Sequence, residues 1–190
     1  ISVPSMDALA APVPAEELIV KVVNESTEPV TLFVSGAHTN LASALRMNPG
    51  IAANIRAVYV MGGAVNVPGN IHKDYPQIEN EVAEWNIWVD PLAASDVFAS
   101  GLEIHLVPLD ATNQVTWGKS DLPGWRRSDA PVSGLAADLI QMTLDAWGVE
   151  EVFVWDLVAA IAASWPEACP ETILPLDVVT SPGPEQGRTM

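Results

Sequence analysis

The sequence is short of cysteine, of basic residues and of long apolar runs, and each shortage excludes something. With one cysteine, Cys169, in 190 residues, no internal disulfide can form, which fits a reducing compartment; the cytoplasm is the expected location. Eight lysines and arginines face 24 aspartates and glutamates, giving a formal net charge of −16. Binding nucleic acid needs clustered cations for the phosphates, and the one basic pair, Arg126-Arg127, makes no stripe. No nucleic-acid partner is expected. Apolar residues make up 49% of the chain, yet no run approaches a membrane span, so a soluble protein without a membrane segment is expected. The opening ISVPSMDALAAPVPAEE lacks the basic and apolar regions of a signal peptide. It also lacks an initiator methionine, so residue 1 need not be the start of translation.

What is present is an alternation of strand-like and helix-like segments. A chain of 190 residues suits one core and is short for two, so a single domain over 1–190 is expected, entered through a Pro/Ala-rich stretch and helix over 1–28. VTLFVSG (Val30–Gly36) and IRAVYVMGGA (from Ile55) are short apolar runs closed by glycine and read as buried strands. EIHLVPLDAT reads as a third strand and ILPLDVVT (Ile173–Thr180) as a last one. Between them, TNLASALRMNP has helical spacing, with a cap near Thr39 or Asn40 and a stop before Pro49. DPLAASDVFASG has Asp90 as cap, Pro91 at the first helical position and glycine past the end. SGLAADLIQMTLDAW and WDLVAAIAASWPE complete the helices. Apolar strands alternating with helices predict an α/β fold, a mostly parallel sheet with helices on both faces. The loops Val65–Glu81 and Asn113–Pro131 are long and irregular, where function often lies.

In such sheets ligands bind beyond the carboxyl ends of the strands. SGAHTN, MGGAVNVPGN, LDATNQ and VWDL fall there, each weak by itself. MGGA lacks the G-x-G-x-x-G spacing and no P-loop lysine follows. His38, His72 and His105 have no zinc-ligand spacing, and His105, alternating with apolar neighbours, reads as structural. No G-x-S-x-G or Cys/His arrangement supports a nucleophilic hydrolase. Asp156 could simply cap its helix. AEWNIWVDPLAA poses a sharper question, because Glu84 and Asn86 sit two apart in an apolar frame. They are either the polar face of a strand end or a hydrogen-bonding pair turned into a pocket.

Taken together, SGAHTNLASAL, VYVMGGAVNVPGN, AEWNIWVDPLAASDVFASG, IHLVPLDAT and VWDLVAAIAA occur in an order and spacing that resembles the inosine–uridine nucleoside hydrolase family, over about residues 28–180. The resemblance implies a Rossmann-like core and calcium-assisted hydrolysis of the N-glycosidic bond of ribonucleosides to ribose and free base. It implies that calcium (Ca2+) binds the ribose 2′- and 3′-hydroxyls and the attacking water, held by the Ser35 backbone carbonyl and by Asp156. By the same resemblance Asn70, Glu84 and Asn86 hydrogen-bond the ribose and Met61 lies beneath it. Trp155 stands where many members carry a histidine that protonates the leaving base and others a base-stacking tryptophan. Trp117 and Trp147 are further candidates for the base pocket. These residue types suit the chemistry: calcium prefers oxygen ligands, and carboxylate and amide oxygens stabilise oxocarbenium character.

The family's opening D-x-D-x-x-x-D-D segment has no counterpart; Asp7 stands alone. The N-terminal strands of the fold are therefore expected to be missing, and with them the catalytic aspartate and most calcium ligands. Three explanations stay open: a fragment of a longer precursor, a companion chain that supplies the segment, or a relative that has lost catalysis and only binds ribose or serves structurally. Because the remaining sheet would expose edges and apolar faces, a covering partner is expected, either that N-terminal part or another copy in a homo-oligomer.

Overall fold

The computed structural model describes residues 12–130 and 132–190; the expectation for the opening stretch around Asp7 lies outside them. Helix α1 (Ala15–Glu25) leads into β1 (Val30–Val34), α2 (Thr39–Met47), a 3-10 turn (Pro49–Asn54) and β2 (Ile55–Met61). Two short helices, α3 (Ile71–Asp74) and α4 (Trp85–Val89), precede α5 (Pro91–Phe98) and β3 (Ile104–Val107). The chain continues through α6 (Leu109–Thr112), β4 (Thr116–Gly118), α7 (Leu122–Arg126), α8 (Ser133–Trp147), β5 (Glu151–Phe153) and α9 (Trp155–Ser164).

β1, β2 and β3 form a parallel sheet in that order, the expected α/β arrangement. Strand β2 is apolar throughout its second half because both of its faces are covered. Val58 and Val60 pack with Val23 of α1, Leu41 and Ala44 of α2, and Ala93 and Val97 of α5. Ala57, Tyr59 and Met61 point the other way, onto Leu109 of α6 and Ala159 and Ala162 of α9. The register slips between Val30 and Thr31, whose partners are Ile55 and Ala57. Skipping Arg56 keeps Ile55 on the same side as Val58 and leaves the arginine exposed. A satellite cluster of Leu122, Ala137 and Leu144 joins α7 and α8, beside the antiparallel pair β4–β5. Among the described residues no helix is long and apolar enough to cross a membrane.

Local signals were mostly followed. Asp90 caps α5 by accepting from Ala93 N at 3.1 Å, with Pro91 at the first position. Gly148 ends α8 in the left-handed region at φ 65°, where other residues are strained. Two expectations fail. The cap position of α2 is His38, without a side-chain cap bond, and Thr39 Oγ1 donates instead to Asp90 Oδ2 at 2.6 Å, joining α2 to the start of α5. Ile173–Thr180 is not a strand: Val178 makes only an isolated bridge to Thr189, and Ile173 is fully exposed. Pro175, in the middle of that run, has no N–H for a ladder. The C-terminal segment turns back on itself, with Val179 N bonded to Arg188 O at 3.0 Å. His105 is structural: its ring stacks on Tyr59 at 4.4 Å, and its nitrogens meet Glu171 and Glu103 at 2.6 and 3.0 Å.

His38 is buried completely, edge-on to Phe98, and neither ring nitrogen has a hydrogen-bond partner among the described residues. Burial pushes its imidazole down from 6.5 to about 4, against a smaller upward pull from Asp90. The unfolded chain therefore takes up a proton near pH 6.5 that the folded chain refuses until about pH 4, so this group withdraws stability as the pH falls through that window. Between pH 7 and pH ~4.5 the loss is about 2–3 kcal/mol. Urea unfolding at the two pH values should show a fall larger by that amount in the wild type than in His38→Leu. Equal falls would contradict a neutral, buried His38.

Candidate functional site

The carboxyl ends of β1 and β2 open on one side of the sheet, and the start of α9 lies beside them. Ser35 follows β1, Met61 ends β2, and Trp155 and Asp156 open α9. Asn70 and Glu84 occupy the cap positions of α3 and α4, and Asn86 lies within α4. These seven residues line one depression of about 180 Å³. It is smaller than the roughly 300–1,000 Å³ of sites for drug-sized ligands, so it has room for one small ring. A cavity of about 430 Å³ between α2 and α5 contains none of them; Arg46 and Asp96, among its lining residues, pair at 2.6 Å.

Glu84 organises this depression. The EWN stretch forms neither a strand nor a long helix but the single turn α4, and Glu84 caps it. Its Oε2 accepts from Asn86 N at 2.9 Å, Ile87 N at 3.2 Å and, across the sheet end, Gly63 N at 3.0 Å. Gly63 has φ 83° and sits where Thr189 Oγ1 would be 3.0 Å from a Cβ, so this turn needs glycine. Glu84 is 2% exposed, and among the described residues nothing bonds its Oε1. Burial raises its carboxyl above the usual range; the three backbone donors pull the other way, and the charge of Asp156 adds to the rise.

The two amides are held with similar economy. Asn86 Nδ2 donates to the Met61 carbonyl at 3.0 Å and lies 3.3 Å from its sulfur, leaving Oδ1 uncommitted. Asn70 Oδ1 accepts from Trp85 N at 2.9 Å, leaving its NH2 uncommitted. Asn70 reaches this place because Gly69 N and Asn70 N bond to the carbonyls of Glu81 and Ala83 at 2.7 and 3.0 Å. The chains touch so closely that any side chain at position 69 would overlap the Ala83 backbone. Asp110 pins the start of the same loop, accepting from Val65 and Asn66 N at 2.9 and 2.8 Å. Asp156 does not cap its helix: Val154 holds the cap position of α9 and no side chain caps it. The Asp156 carboxylate is unpartnered among the described residues, and partial desolvation raises its carboxyl.

Aromatic rings wall the depression. Trp155 stacks on Phe153 at 5.6 Å and its Nε1 donates to Asn113 at 2.9 Å. Trp85 stacks on Tyr75 at 5.1 Å. The other two tryptophan candidates do not line it: Trp117 packs against Trp125, and Trp147 is 70% exposed. Asp74, Tyr75 and Trp85 do line it and were missed. The length of the Val65–Glu81 loop marked the region of the first two, but no spacing singled them out. Trp85 stood inside the quoted motif and was read as frame.

Among the described residues no three His, Cys, Asp or Glu side chains converge as a metal site. Calcium takes six to eight oxygens, and Glu84 Oε2 is already filled by three amides. Asp156 and the Ser35 carbonyl would supply two oxygen donors from the lining, fewer than calcium takes.

The inosine-uridine preferring nucleoside hydrolase family model matches residues 2–190. The pyrimidine-specific ribonucleoside hydrolase RihA of Klebsiella pneumoniae (strain 342) is 36% identical over 141 residues, 72% of this chain and 42% of that protein. A purine-preferring ribonucleoside hydrolase from Gardnerella vaginalis superposes with a TM-score of 0.83 at 26% identity, over 100% of this chain and 58% of the other. An inosine-uridine preferring nucleoside hydrolase from Bacillus anthracis gives 0.80 at 28% identity, over 94% and 57%. The chain spans about half the length of the relatives it matches. With the family model covering nearly the whole chain and the fold shared with solved members, the chain belongs to the inosine-uridine preferring nucleoside hydrolase family.

Proposed function

We propose that this chain is the ribose-recognising part of a ribonucleoside N-ribohydrolase, folded as one domain, whose catalytic aspartate comes from a polypeptide segment it does not itself contain. One observation carries the reading. Seven residues from separate stretches of sequence meet in one depression, and Glu84, Asn86, Asn70 and Asp156 each keep a polar group uncommitted there. Glu84 Oε1 accepts no bond among the described residues, since all three donors go to Oε2, so it is free to accept from a hydroxyl, of which a sugar supplies several.

In the mechanism we infer, ribose hydroxyls donate to Glu84 Oε1 and Asn86 Oδ1 and accept from the Asn70 amide. Met61 supports the ring from below, and Trp155 offers its face to the base, a contact worth about 1–3 kcal/mol. A calcium ion held by Asp156, the Ser35 carbonyl and carboxylates from the companion segment would orient the sugar diol and the attacking water. As the C1′–N bond breaks, its electron pair leaves with the base, which gains a proton, while water adds hydroxide to C1′. The Glu84 carboxylate, in a water-poor wall, stabilises the positive charge developing on the ring.

The place for a companion is consistent with the sheet. Among the described residues β1 is an edge strand of the parallel sheet, and Phe33 within it is 44% exposed. An open edge of this kind invites another strand, whether from the same precursor, a separate chain or a second copy. The competing reading, a non-catalytic ribose binder, is favoured by one fact: no cluster of acidic ligands exists among the described residues.

One expectation separates these readings and a second tests the binding site they share. The 190-residue chain alone should bind calcium weakly and release no ribose from inosine or uridine in a reducing-sugar assay. Joined by the aspartate-rich segment it should hydrolyse both, and Asp156→Ala should then abolish turnover. Ribose release by the lone chain would overturn the shared-site mechanism; an inactive assembly would favour the binder. Glu84→Gln gives a second expectation. The raised Glu84 carboxyl means that the charged form opposes folding at neutral pH, so the variant should melt higher than the wild type. Its ribonucleoside affinity should fall about 10–100-fold, the value of a hydrogen bond to a charged group. A lower melting temperature or unchanged affinity would contradict this role.

A further inference from the structure

Asn70, Asp74 and Tyr75, at and around helix α3, line the depression, and the last two residues of the helix with the one that follows divide the work. Lys73 Nζ lies 5.4 Å from the centroid of the Phe153 ring, which itself stacks on Trp155. Tyr75 stacks on Trp85, part of the facing wall, with planes 21° apart. Between these two anchors, Asp74 lines the depression. Ile71, fully buried, fixes the start of the helix. Asp74 is therefore carried on a short element tied to both aromatic walls. Its carboxylate has no hydrogen-bond or ion-pair partner among the described residues.

The charge of the lining is one-sided. Asp74, Glu84 and Asp156 contribute carboxylates, and among the described residues no lysine or arginine lines the depression. The nearest cation on α3, Lys73, is engaged with the Phe153 ring. Glu84 is 2% exposed and keeps one oxygen without a partner among the described residues, so on the ribonucleoside reading it receives the hydroxylated ring. Asp74 lines the same depression but is exposed to solvent, so a group projecting from that ring toward solvent would pass near it.

We propose that Asp74 is a specificity-determining residue that turns away sugars carrying a phosphate and lets neutral ones pass. The inference rests on the ribonucleoside reading of the same site. A phosphate adds up to two negative charges. A few ångströms from a fixed carboxylate, with water between, repulsion of that size weakens binding on the order of threefold to tenfold at low ionic strength.

The test is fluorescence titration of the full chain, since Trp85 and Trp155 line the depression. Uridine and uridine 5′-monophosphate are compared, without added calcium, in wild type, Asp74→Asn and Asp74→Lys. The preference for uridine should narrow on the order of threefold to tenfold in Asp74→Asn and further in Asp74→Lys, and the narrowing should vanish near 1 M salt, where the screening length is about 3 Å. A preference equal in all three proteins, or a narrowing that survives high salt, would overturn the proposal while leaving the ribonucleoside reading intact. Failure of the wild type to bind uridine at millimolar concentration would instead sink that reading, and this inference with it.

Discussion

The arrangement depends on a single buried carboxylate. Glu84 Oε2 gathers three backbone N–H groups, two from the turn it caps and one from Gly63 at the end of β2. These bonds join the sheet to α4 and fix where Asn86 and Trp85 stand. The C-terminal segment supports the same joint from behind: Gly187 packs against Trp88, and Thr189 against Gly63. Burying a carboxylate costs free energy that three amide donors only partly offset, and the raised Glu84 carboxyl records that deficit. A ligand that donates to the remaining oxygen removes part of it. Strain of this kind is common at binding sites, where stability is given up for recognition.

Three polar residues of the depression are each held by one group and present the other. Glu84 commits Oε2 and keeps Oε1, Asn86 commits its NH2 and keeps its oxygen, and Asn70 commits its oxygen and keeps its NH2. The result is two acceptors and one donor facing one small volume, a pattern suited to a polyol. Side chains anchored in this way lose little further freedom on binding, so the site is preorganised. The aromatic walls add area without flexibility, and α3 ties them together through Lys73 and Tyr75.

Much of this was legible in the sequence, for identifiable reasons. The sheet showed itself because β2 is covered on both faces and reads as one apolar run. Helix α5 showed itself through Asp90 and Pro91, whose cap chemistry is local. Ser35, Met61, Asn70, Glu84, Asn86, Trp155 and Asp156 came from motifs whose order resembles a family, and they meet in space. What was hidden depends on distant contacts. The single turn α4 is built from Trp, Asn, Ile and Val, weak helix formers, and exists because Glu84 caps it and Ile87 is buried. Asp74 and Tyr75 reach the depression through a stack with Trp85, which no spacing announces. Ile173–Thr180 looked like a strand by composition, and Pro175 denied it a ladder. Trp117 and Trp147 shared the residue type of Trp155 but lie on the satellite elements β4 and α8.

The most direct measurement is an amide-resolved NMR titration of the labelled chain with a ribonucleoside at millimolar concentration. If Glu84 receives the sugar, the amides of Gly63, Asn86 and Ile87, all bonded to its carboxylate, should shift together and saturate with one affinity, along with the Asn70 side-chain NH2. Shifts confined to the cavity around Leu45, Arg46 and Ser100, or none at those three amides, would contradict a ribose site built on Glu84.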